Sequence, residues 1–228
     1  MSRVSDNLKM VREKIAQAAS RAGRNPEDIQ LVAVSKTVEA KRIREAIEAG
    51  ATLFGENYIQ EAREKIKELG HEVRWDFIGH LQRNKVNHAV DLFEMIHSVD
   101  RLSLAREINS VAANKNKKTR ILVQVNISGE EAKSGINPGG VTSLVSEIAS
   151  MSNLSLEGLM TMPPYFDDPE RARPYFTALR ELRNKIIAEN SGGIRLKELS
   201  MGMSGDFEVA IEEGSTAVRI GTAIFGKR

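Results

Sequence analysis

Leu8, Val11, Ile15, Ala18 and Ala22 recur at helical intervals, so the chain opens on one apolar helical stripe. The helix is predicted to begin near Ser5 or Asp6 and to stop at Gly23, ahead of Asn25-Pro26. Beyond it the pattern changes. Short apolar runs near 29–35, 53–58, 75–81, 93–99, 120–127, 156–162, 198–204 and 217–225 read as eight strands. The segments 38–49, 60–69, 84–91, 101–114, 138–151, 169–189 and 206–213 read as amphipathic helices, several closed by a glycine such as Gly50, Gly70 or Gly214. In 169–189, Pro169 suits a first turn, whereas Pro174 lies deeper and should bend or delay the helix.

A strand-helix alternation sustained over this length predicts an α/β fold: a single TIM-type (β/α)8 barrel with an extra N-terminal helix, one domain over 1–228. An open doubly wound sheet would use fewer strands and favour a G-x-G-x-x-G after the first. Ser35-Lys36-Thr37-Val38-Glu39 offers nothing of that kind.

Composition narrows the function classes. The 228 residues are 41% hydrophobic, ordinary for a globular chain, and 33 basic against 31 acidic side chains leave a net +2, which argues against a nucleic-acid footprint. With no cysteine, disulfides, thiolate metal sites and cysteine nucleophiles are excluded. No apolar run approaches the ~20 residues of a membrane span, and Met1 to Gly23 lacks a signal-peptide core. The expectation is a cytoplasmic protein, and with no apolar patch visible on its helices, a monomer.

The chemistry gathers at two strand ends. Lys36 closes the apolar run Leu31-Val32-Ala33-Val34-Ser35, which places an amine where strand C-termini open onto the active face of a barrel. Apolar walls and a neighbouring cation both favour the neutral amine, the form that condenses with carbonyls. The alternative is a lysine that merely marks where a strand leaves the core. Closure would bring Lys36 beside 217–222, in which Arg219 and Gly221 face one side and Val218 and Ile220 the other. Either the arginine or the apolar pair therefore enters the barrel. A buried guanidinium needs acceptors or a ring partner.

Leu199 to Ser204 alternates bulky residues with Ser, Gly and Ser. Ser204, Gly221 and Thr222 then offer hydroxyls and backbone N–H groups where barrels often bind phosphate. These small residues could also serve packing alone. An aldehyde-seeking lysine, a ring-directed arginine and a phosphate cradle together match pyridoxal 5′-phosphate (PLP).

The segments LVAVSKTVEA (31–40), FGENYIQEA (54–62), WDFIGHLQRNKVN (75–87), IHSVDR (96–101), VNISGEEAKSGI (125–136), LEGLMTMPP (156–164) and LSMGMSGDFEVAIEEGSTAVRIGTAIFG (199–226) closely resemble the pyridoxal phosphate homeostasis protein family, YggS-like or PROSC-like. That family resembles the N-terminal barrel of alanine racemase, the fold-type III PLP architecture. The resemblance implies a Schiff-base lysine at Lys36 and an arginine at Arg219 facing the pyridine nitrogen. It also implies Ser204, Gly221 and Thr222 around the phosphate, with Asn57 lining the pocket. The role it implies is intracellular PLP storage, buffering or delivery, possible recipients being PLP-dependent apoenzymes, with little or no turnover.

A weak fold-type III racemase or lyase is the alternative, and a cofactor-free Schiff-base aldolase a third reading. Racemisation needs a base on each face of the substrate, and Lys36 supplies one. In alanine racemase the opposing tyrosine comes from a second domain, whereas this chain ends after strand eight. Tyr58 and Tyr165 fall near predicted strand ends and Tyr175 on a helix, none an obvious substitute.

His71, His80, His88 and His97 show no metal-ligand spacing. Of these, His80 falls beside the predicted mouth, where it either contacts a ligand or caps Gln82-Arg83-Asn84. Asn114-Lys115-Asn116-Lys117-Lys118 joins a helix to the next strand and is expected on the opposite, solvated face. Met160, Met162, Met201 and Met203 read as core and pocket wall.

Overall fold

The chain's structure, a computed structural model, describes residues 2–70, 72–130, 132–190 and 194–226. Its strands are β1 (Gln30–Val34), β2 (Leu53–Glu56), β3 (Arg74–Phe77), β4 (Met95–Val99), β5 (Thr119–Gln124), β6 (Leu154–Met160), β7 (Glu198–Ser200) and β8 (Ala217–Ile220). They form one closed parallel barrel in sequence order. The seam is the pairing of β8 with β1, in which Val32 is level with Arg219 and Ala33 with Ile220.

Around it lie α2 (Ala40–Glu48), α3 (Ile59–Leu69), α4 (Val86–Leu92), α5 (Leu102–Asn114), α6 (Pro138–Ala149), α7 (Arg173–Glu189) and α8 (Phe207–Glu212). After β8 the described residues form the short α9 (Thr222–Phe225), and α1 (Arg3–Arg21) packs against α2, α8 and α9 beside it. The stripe Val4, Leu8, Val11 and Ile15 is buried there, and Asn7 Nδ2 donates to Ile224 O at 2.9 Å.

The two-residue strand period divides the core. Ala33, Phe54, Phe77, Ile96, Ile121 and Val218 point outward into the main core shared with the helices. Inside the barrel, Val32, Leu53 and Ala217 form one small apolar group, and Met95, Leu122 and Met160 another. The remaining interior is polar, with Asp76, His97, Gln124, Ser200 and Arg219 all buried.

Several boundaries differ from the sequence reading. The N-terminal helix starts earlier, at Arg3, because the Ser2 hydroxyl accepts from Ser5 N at 3.3 Å and caps it. Strand eight ends at Ile220 rather than continuing through 225, where Thr222–Phe225 turns into α9. Strand seven is Glu198–Ser200, shorter than 198–204, because Gly202 adopts φ +94°, which a pleated strand does not. Pro174 delays its helix: Pro169–Ala172 is a 3₁₀ turn and α7 begins at Arg173, with the proline in a first turn that needs no N–H.

The basic stretch before β5 lies at the strand N-terminal end, where Lys115 and Lys117 pair with Asp91 at 2.5 and 3.4 Å. Among the described residues no helix is long and apolar enough to cross a membrane, and no cluster of three His, Asp or Glu could hold a metal. His71 lies outside the described residues.

Candidate functional site

β1 ends at Val34, and the next residues alternate as the strand did: Val34 and Lys36 both line the barrel mouth, whereas Ser35 is fully buried on the other side. The mouth holds a cavity of about 280 Å³. Lys36, Asn57, Ser204, Arg219, Gly221 and Thr222, the six candidate residues, all line it, although they come from the ends of β1, β2, β7 and β8. Met162, Met203 and Tyr165 form more of the wall, whereas Met160 and Met201 are buried, so the four methionines divide between pocket wall and core as expected.

Asn57 follows β2 and is set by close backbone packing. A Cβ at Gly79 would stand 2.3 Å from Asn57 O, so only glycine lets the β3 loop approach this far. Asn57 Oδ1 is buried and has no hydrogen-bond partner among the described residues. On the far rim, the Ser204 hydroxyl accepts from Gly221 N and Ala223 N, both at 3.3 Å, which ties the two loops after β7 and β8 into one patch. Asp206 fixes that turn by accepting from Met203 N at 2.6 Å, and burial holds its carboxyl above the ordinary value.

Of the two faces left open for β8, the arginine takes the interior. Arg219 is 4% exposed and donates to the Ser200 hydroxyl at 2.5 Å and to Thr161 O at 2.8 Å. Its pKa is pulled down to about 10 by burial, which Asp206 partly opposes, so the guanidinium stays a cation at neutral pH. The Ser200 hydroxyl is also 3.0 Å from His97 Nδ1, and His97 Nε2 is 3.1 Å from Asp76 Oδ2. Because Ser200 already accepts from the arginine, its proton is available to Nδ1, leaving Nε2 to donate to Asp76. A polar chain therefore crosses the barrel interior beneath the pocket, from β3 through β4 and β7 to β8.

Asp76, His97 and Ser200 were not among the candidate residues. His97 carried a signal that spacing alone could not decode: with Ser98 it places polar side chains in a strand, Met95–Val99, whose five residues are all buried. His80 differs from its expectation, being exposed, 3.4 Å from the Ser134 hydroxyl, and part of the wall of a neighbouring cavity rather than of the Lys36 pocket. Tyr165 lines the pocket but is 83% exposed; Tyr58 lines the neighbouring cavity, and Tyr175 lies on α7 against Phe166.

Comparison with known proteins agrees with this geometry. The family described as "Alanine racemase, N-terminal domain" matches residues 7–228. The pyridoxal phosphate homeostasis protein of Aquifex aeolicus is 45% identical over 224 residues, 98% of this chain and 97% of that protein. PipY of Synechococcus elongatus PCC7942, solved with PLP bound, superposes with a TM-score of 0.83 at 34% identity, covering 93% of this chain and 100% of that one. An alanine racemase from Clostridium difficile shares the fold at 17% identity and a TM-score of 0.73, covering 98% of this chain and 57% of that one. The family match over nearly the whole chain and the 45% identity to a relative of the same length show that the chain belongs to the pyridoxal phosphate homeostasis proteins, within the alanine racemase N-terminal domain family.

Proposed function

We propose that this chain binds PLP at the barrel mouth, covalently through Lys36, and serves intracellular PLP homeostasis by storing, buffering or delivering the cofactor with little or no turnover. The observation that carries the reading is the convergence of six residues from four strand ends on one cavity. The residues present fit the group. Ser204 and Thr222 bring hydroxyl donors for a phosphate beside Gly221, whose N–H holds the Ser204 oxygen in place, and Asn57 brings a buried Oδ1 without a partner among the described residues. When bound, PLP supplies an aldehyde with which a neutral amine condenses reversibly, losing water.

The remaining roles follow from this chain's own residues. Lys36 is the attachment point. Arg219, locked by Ser200 and Thr161, offers only donors toward a ring nitrogen, so it opposes protonation there and weakens the electron sink that most PLP reactions draw on. The site is built to hold more than to react. Similarity to relatives named for PLP homeostasis, and to PipY solved with PLP, supports the same reading.

The test is spectroscopic. PLP added to the purified protein should give visible absorbance that Lys36→Ala abolishes, and borohydride reduction should fix the cofactor's mass on the Lys36 peptide. An unchanged spectrum in Lys36→Ala overturns the proposal.

One observation favours a second reading, a weak racemase or lyase: the Tyr165 phenol is on the pocket wall. α-Proton exchange of amino acids in deuterated water, lost in both Lys36→Ala and Tyr165→Phe, would establish it. No exchange across the common amino acids leaves the binding role.

A further inference from the structure

Beneath the mouth, on the outward face of β1 and β2, lies a buried ionic cluster unlike the solvated pairs elsewhere. Glu56 is fully buried, and Lys65 on α3 is 7% exposed. Lys65 Nζ donates to Glu56 Oε1 at 2.7 Å, to Glu61 Oε1 at 2.6 Å and to the main-chain oxygen of Ser35 at 2.6 Å. The Ser35 hydroxyl donates to the same Glu56 oxygen at 2.7 Å. Glu61 Oε1 also accepts from Thr37 N at 2.5 Å.

These contacts have a common target. Ser35 O belongs to the peptide unit before Lys36, and Thr37 N to the one after it, so one charged cluster holds both planes that flank the lysine. Thr37 needs such support, because it sits at φ +57°, a left-handed conformation that β-branched residues avoid. Stability alone does not account for the arrangement: burying this many charges costs desolvation that their pairing only partly returns. Burial indeed holds the Glu56 carboxyl above its ordinary value despite Lys65.

We infer that Glu56, Lys65 and Glu61 are positioning residues, which fix the main chain on both sides of Lys36 and thereby aim its amine into the pocket. The inference rests on the reading of Lys36 as the point of covalent attachment. None of the three residues lines the cavity, so they act through the backbone of residues 35–37. Glu61 sits at the open edge of the cluster, where substitution leaves the Glu56–Lys65 pair in place.

The experiment compares two probes on Glu61→Ala, Glu61→Gln and Lys65→Met: PLP, and 4′-deoxypyridoxine 5′-phosphate, which keeps the ring and phosphate but has no aldehyde. In Glu61→Ala the rate at which PLP develops visible absorbance should fall about tenfold or more, the scale expected when a reacting group is misplaced by a fraction of an ångström. Affinity for the deoxy analogue should stay within about twofold, since an unmoved phosphate and ring site binds as before. Glu61→Gln, whose amide oxygen can still accept from Thr37 N, should recover most of the rate. In the protein without ligand, hydrogen exchange at the Thr37 amide should be faster in Glu61→Ala and restored in Glu61→Gln.

Wild-type PLP rates in Glu61→Ala overturn the inference, as does equal loss of both probes, which would mark the cluster as merely structural. Should Lys65→Met fail to fold, the two Glu61 variants decide the matter alone. Failure of the underlying reading looks different: the wild type itself would give no absorbance, or Lys36→Ala would retain it.

Discussion

Arg219 on β8 donates to the Ser200 hydroxyl on the neighbouring β7, and that hydroxyl links it across the barrel interior to His97 on β4. Among the described residues the serine is the bridge between the guanidinium and the imidazole. Ser200→Ala therefore removes an acceptor from a buried cation and a donor from a buried ring nitrogen. Leaving such groups unsatisfied should cost about 1–3 kcal/mol, read as a lower urea midpoint with an unchanged slope. If PLP binds as proposed, its absorbance should also shift in position, because Arg219 is freed to move against the ring. A variant with wild-type stability and spectrum would show that the chain of contacts carries neither load.

Asp206 gives a pH dependence with a definite sign. Burial holds its native carboxyl above the ordinary 3.8, so the native state binds a proton more readily than the unfolded state does. The stabilisation this lends is complete below that ordinary value and is lost as pH rises through the native one. In Asp206→Asn the amide oxygen can still accept from Met203 N. Its stability relative to wild type should therefore increase from acidic pH toward pH 7 in parallel denaturant titrations. A difference that stays flat or falls would contradict the burial argument.

Gly79 tests how Asn57 is placed. A methyl group there meets Asn57 O at 2.3 Å and Asn57 Cα at 2.7 Å, both backbone atoms that cannot swing aside. Gly79→Ala should cost about 1–3 kcal/mol and weaken PLP binding together with stability. Loss of stability with unaltered binding would remove Asn57 from the pocket's working parts.

Leu8 tests the role of α1. It is fully buried where α1 packs against its neighbouring helices, so Leu8→Ala should lower stability by about 2–5 kcal/mol in thermal or urea unfolding. An effect below 1 kcal/mol would mean that the helix is an appendage rather than part of the wall.

The barrel was legible in the sequence because each strand is a short apolar run and each helix a longer periodic one, two signals that do not imitate each other. Where a strand hands over to a turn the signal fades. Thr222-Ala223-Ile224-Phe225 is as apolar as the strand before it, so the sequence reading ran β8 on to 225, while the backbone had already turned at Gly221. Lys36 and Arg219 were visible because each places a charge in an apolar run. Glu61 and Lys65 were not, since an acid and a base four residues apart on a helix ordinarily form a solvated pair. Only the tertiary position of Glu56 turns that pair inward. His97 was hidden for the same reason: its partners are 21 and 103 residues away.

The pairing of β8 with β1 joins distant parts of the chain through four residue pairs, and the mouth cavity straddles that junction. A guest gripped by Lys36 on one side and by Gly221 and Thr222 on the other would act as a staple. Ring closure of the polypeptide and occupancy would then rise and fall together, and saturation at one hundred times the dissociation constant would add about 2.7 kcal/mol to the native state. Protease resistance at the β8–β1 seam would then report occupancy of the mouth.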